Sequence, residues 1–85
     1  MSKIEKEIKR LKSKPRDYTY DEAKSLLNKL GFLEHNKGKT SGSRVIFINT
    51  NINQKIELHK PHPDNIIKMY KVIDLINDLE SWRLI

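Results

Sequence analysis

The stretch from Ser43 to His59, SRVIFINTNINQKIELH, decides the fold. Ser43 to Ile48 is a β-branched and aromatic run that reads as a strand. Asn49-Thr50-Asn51-Ile52-Asn53-Gln54 is polar and reads as a turn. Lys55-Ile56-Glu57-Leu58-His59 then alternates, which sets Ile56 and Leu58 on one sheet face and Glu57 and His59 on the other. Two antiparallel strands with one buried face follow, and His59 is expected to point away from the core.

Upstream, Phe32-Leu33-Glu34-His35 is a shorter extended segment, joined to the hairpin by the loop Lys37-Gly38-Lys39-Thr40-Ser41-Gly42. Before it, Thr19-Tyr20-Asp21-Glu22 has the form of a capping box, and Ala23, Leu26, Leu27 and Leu30 make the apolar stripe of a helix that Gly31 stops. Ile4, Ile8 and Leu11 mark a narrower amphipathic helix that ends at Pro15. Downstream, the prolines of Lys60-Pro61-His62-Pro63 take the chain out of the sheet. Asp64 or Asn65 is expected to cap a last helix over 66–80, with Ile66, Met69, Tyr70, Ile73, Ile76 and Leu79 as its apolar stripe. Phe32, Phe47 and Tyr70 fall within apolar patterns and are expected in the core. Of Tyr18 and Tyr20, one is expected to staple the helix start, which leaves the other for the surface. The order helix, helix, three strands, helix predicts one α+β domain over 1–85. A three-stranded antiparallel meander would carry helices on one face, with residues 1–14 as an additional N-terminal helix.

The chain has 85 residues, of which 17 are Lys or Arg and 11 are Asp or Glu, for a formal charge of +6. A domain of this size has a thin core and little room for a large catalytic pocket. With no cysteine there is no disulfide, thiolate nucleophile or thiolate zinc site. The longest apolar run, Val45 to Ile48, is far shorter than the roughly 20 residues that span a bilayer, so a soluble, cytoplasmic protein without membrane contact is expected. Charge is unevenly placed. Residues 1–16 hold seven Lys or Arg against two Glu, and residues 37–60 hold five against Glu57 alone. If the two segments meet they form one basic face suited to a polyanion; the alternative is a solubilising surface.

His59 and His62 stand three apart, near Lys60 and the loop lysines. Two imidazoles among cations suit metal-free RNA cleavage, one taking the 2′-OH proton and the other protonating the leaving 5′ oxygen. The structural alternative is an exposed strand residue followed by a turn residue. The pair matches no recurrent zinc spacing, and neither a metal nor another cofactor is expected. Lys37, Lys39, Ser41, Ser43, Arg44 and Lys60 supply cations and hydroxyls for an RNA backbone. The loop lacks the spacing of a nucleotide-binding P-loop and leads into a strand, so nucleotide hydrolysis is disfavoured.

The strings Gly31-Phe32, Gly38-Lys-Thr-Ser-Gly-Ser-Arg-Val-Ile-Phe47 and Leu58-His-Lys-Pro-His-Pro63, followed by a terminal helix, resemble a HicA-type toxin over about Asp17 to Leu79. The resemblance implies a fold like that of double-stranded-RNA-binding domains over a core of 17–80. It also implies a small, metal-independent mRNA-cleaving toxin held inactive by a HicB-like antitoxin protein. One position departs from the family. Its usual second-strand motif is Gly-Ser-His, with the histidine presumed catalytic, whereas this chain has Gly42-Ser43-Arg44. That role therefore does not carry over. Arginine binds phosphate well but is a poor general base. His59 is then expected to be catalytic, assisted by His62, Lys39 and Arg44. Two alternatives stay open: an RNA-binding module without catalysis, and a protein whose main role is complex formation.

Overall fold

A computed structural model of the chain describes residues 3–35, 44–60 and 64–85. Its elements are α1 (Lys3–Lys12), α2 (Tyr20–Lys29), β1 (Leu33–His35), β2 (Arg44–Asn49), β3 (Gln54–His59) and α3 (Met69–Ser81). The order is the one expected, and the strands form an antiparallel sheet β1-β2-β3. The register sets Val45 opposite Leu58 and Phe47 opposite Ile56. All four are buried, in one cluster with Leu26 and Leu27 of α2 and Val72, Leu75 and Leu79 of α3. The inner face of the sheet is thus covered by helices. α1 packs on α2 and α3 through Leu11, which is fully buried, and the partly buried Ile4 and Ile8.

The ends of α2 are built as its sequence dictates. The Thr19 hydroxyl accepts from the Glu22 backbone N–H at 3.1 Å, and the Glu22 carboxylate accepts from the Thr19 N–H at 3.0 Å, so both orphan donors are satisfied. At the other end Gly31 has φ +100°, the Phe32 N–H reaches the Leu27 carbonyl and the Gly31 N–H reaches that of Asn28. A Cβ on Gly31 would meet the Asn49 Nδ2 at 3.1 Å. Asn49 is the one buried polar residue among those described; it donates to the Leu30 carbonyl and accepts from the Asn51 N–H. It therefore ends β2 and ties the sheet to α2, where the sequence reading had put it at the start of the turn. Losing the Thr19 cap by Thr19→Ala should cost about 1 kcal/mol. Thermal melting should show this as a midpoint lowered by roughly 4–8 °C.

A guanidinium crosses from α1 to this cap. Arg10 donates to both Glu22 oxygens, at 2.7 and 3.2 Å, and to Asp17 at 3.0 Å. The hydrogen bonds from Arg10, aided by those from Thr19, hold the Glu22 carboxyl below its ordinary 4.5. A carboxyl depressed in the folded state contributes stability that is complete above its unfolded value and is lost as pH falls through the folded one. The melting midpoint should therefore decline below about pH 4.5, and less steeply in Arg10→Ala; parallel acid limbs for the two proteins would contradict this.

Four expectations are corrected. The last helix starts at Met69 with Lys68 as N-cap, and neither Asp64 nor Asn65 caps it. Residues 65–67 are instead extended against residues 18–20: the Tyr20 N–H reaches the Asn65 carbonyl, and the Ile67 N–H reaches that of Tyr18. The Asn65 side chain donates to Asp21. The buried stripe of α3 is Val72, Leu75, Ile76 and Leu79, while Tyr70 lies 66% exposed and Ile73 at the surface. The sequence stripe was rotated because Ile66 lies outside the helix. Finally, Tyr18 and Tyr20 are both buried, so neither is left for the surface: Tyr18 lies beside Glu7 and Arg10 of α1, and the Tyr20 ring packs against Phe47.

Candidate nucleic-acid interface

Residues directly opposite in a ladder share a face. With Val45, Phe47, Ile56 and Leu58 turned inward, the outer face carries three rows: Arg44 with His59, His35 with Ile46 and Glu57, and Leu33 with Ile48 and Lys55. Arg44 and His59 are exposed and adjacent across the β2–β3 ladder, their Cβ atoms about 5 Å apart. The Arg44 Nε lies 3.5 Å from a Glu57 oxygen, both side chains being about half exposed. An ion pair this exposed is weak and leaves the guanidinium available to a stronger anion.

Among the candidate residues, then, Arg44 and His59 come together on the outer face. Lys60 does not join them. It continues the inward row of Ile56 and Leu58, and its ammonium lies 5.9 Å from the centroid of the Tyr20 ring. That ring packs against Phe47, and its burial pushes the Tyr20 hydroxyl up to about 12. Lys37, Lys39, Ser41, Ser43 and His62 lie outside the described residues. Among the described residues, α1 does not share the outer sheet face that carries Arg44 and Lys55. α1 sits on the helix side, with Arg10 paired to Asp17 and Glu22 and Lys12 to Glu80.

Sequence reasoning missed His35. It is exposed on the outer face, and alternation from the buried Phe32 was the signal that could have placed it there. It lies two strands and one row from His59, roughly 12 Å by strand geometry. Also missed was a groove of about 1020 Å³ between β3 and the segment leading into α3. Arg16, His59, Lys68, Tyr70 and Lys71 line it, with the carboxylates of Glu57 and Asp64 and an apolar wall of Leu58, Ile66, Ile67 and Met69. Among the described residues no three His, Cys, Asp or Glu side chains converge on a metal position. No helix among them is long and apolar enough to cross a membrane.

Fold and site together define a small basic α+β domain with an open, histidine-bearing sheet face and a cation-lined groove at its edge. Compared with known proteins, the chain matches no family model, and no curated protein or solved structure is significantly similar to it.

Proposed function

We propose that this protein binds single-stranded RNA across the outer sheet face and cleaves it without a metal, as the toxin of a toxin–antitoxin pair with a HicB-like partner. The observation that supports this best is the adjacent, exposed pair of Arg44 and His59 on a face left open by the helices. In the reaction the ribose 2′ oxygen forms a bond to the neighbouring phosphorus as the bond to the 5′ oxygen breaks, giving a 2′,3′-cyclic phosphate and a 5′-hydroxyl. The His59 imidazole accepts the 2′-OH proton. The Arg44 guanidinium, released from Glu57, faces the charge that builds on the phosphorane oxygens. His62 donates the proton that the 5′ oxygen takes up. Lys37, Lys39, Ser41 and Ser43 of the preceding loop hold the flanking backbone. Lys60, turned to the helix side, contributes long-range charge.

The test is incubation of the protein with a long single-stranded RNA in EDTA, beside His59→Ala. A second reading, RNA binding without cleavage, draws on a specific feature: Arg44 stands where the resembled family has its histidine. It predicts binding that weakens with salt and an RNA that stays intact.

A further inference from the structure

Tyr70 is the most exposed large aromatic side chain among the described residues, and it sits on the rim of the groove that His59 also lines. Neither aromatic pair in the fold uses its ring; those are Tyr20 with Phe47 and Phe32 with Trp82. The cations around it are also uncommitted: Arg16, Lys68 and Lys71 form no ion pair among the described residues. Three cations, Arg16, Lys68 and Lys71, stand against the two carboxylates Glu57 and Asp64, and Glu57 is itself paired with Arg44, so the groove carries net positive charge. A ring with a free face beside three unpaired cations is the chemistry of a nucleotide seat, with stacking for the base and charge for the phosphate. At about 1020 Å³ the groove is at the upper end of ligand-sized pockets, ample for one nucleotide and its flanking phosphates.

We propose that this groove seats one unpaired nucleotide of a single-stranded RNA, with its base stacked on Tyr70 and its phosphates held by Arg16, Lys68 and Lys71, next to His59. This rests on the RNA-binding reading above and adds to it a requirement for an unpaired base at one position. A duplex keeps its bases stacked on each other and offers no free face to the ring. The seat is also sequence-tolerant, because every base has a π-face.

The experiment measures binding of fluorescein-labelled single-stranded RNA of about a dozen nucleotides by anisotropy for the full chain, Tyr70→Ala and Tyr70→Phe. A same-length strand of abasic sites is the second probe. Loss of one base stack should weaken RNA binding by about 5- to 150-fold in Tyr70→Ala, leave Tyr70→Phe within twofold, and leave abasic-strand binding unchanged in both. Because Tyr70 is exposed, the melting midpoints should match, and a lowered one moves the comparison to Tyr70→Phe against Tyr70→Leu. Equal RNA affinity of wild type and Tyr70→Ala would overturn the stacking seat while leaving RNA binding intact. An equal loss on the abasic strand would do the same, since the ring would then act on the backbone. If the wild type binds no RNA, the functional reading fails with it. Normal RNA binding by Tyr70→Ala with loss of a co-purifying partner would assign the groove to a protein and also overturn the proposal.

Discussion

Cleavage of single-stranded RNA in EDTA should fall by two to four orders of magnitude on His59→Ala, the range in which a positioned general base contributes. RNA affinity should change little. His59 is exposed on the outer face, so its removal leaves no cavity and exposes no unpaired buried group. The melting curve should therefore superimpose on that of the wild type within about 0.5 kcal/mol. This combination is diagnostic, because a merely structural histidine would lower binding and stability with activity. Undiminished cleavage by His59→Ala would remove it from the mechanism and turn attention to His62 or His35. If neither protein cleaves while both shift RNA on a gel, binding without chemistry becomes the better account, with Arg44 marking the lost histidine.

Phe47→Ala should be the most damaging core substitution on β2. The ring is fully buried at the centre of the sheet, opposite Ile56 and against Tyr20. Removing a buried phenylalanine ring costs about 3–5 kcal/mol through lost transfer energy and the cavity left behind. A domain of this length has a total stability of roughly 4–13 kcal/mol. The variant should therefore melt at least about 12 °C lower, or show no cooperative transition. Tyr70→Ala, which removes an aromatic ring from the surface, should move the midpoint by no more than about 4 °C. A small shift for Phe47→Ala would mean that the helix layer collapses into the gap, and that this core is looser than its burial indicates.

The contrast between these two aromatic residues shows where sequence is a good guide. Phe47 lies in a strand, where side chains alternate strictly, so its neighbours assign its face without ambiguity. Tyr70 lies at the start of a helix whose boundary decides which residues share a stripe. Counting Ile66 as helical rotated the stripe onto Tyr70 and Ile73, whereas the observed start at Met69 turns Val72, Leu75 and Ile76 inward. What displaced that boundary is a long-range pairing, residues 65–67 against 18–20, across more than forty residues of chain. No local pattern encodes such a contact. Asn49 followed a similar course: it read as the first residue of a polar turn, yet it ends β2 and is buried, its amide meeting the carbonyl at the end of α2.

By itself the sequence determined the order of elements, the hairpin and its faces, the capping box at Thr19, the glycine stop at Gly31 and the outward position of His59. Each of these depends on interactions within about five residues or on strict alternation along one strand. Only the tertiary structure decided that Arg44 and His59 stand side by side, that Lys60 turns to the opposite face, and that α1 keeps its charge on the helix side. It alone brought Arg16, Lys68, Tyr70 and Lys71 into one groove beside β3. Those relations depend on strand register and on the crossing of distant segments, which are fixed by packing the whole core at once and not by any local stretch of chain.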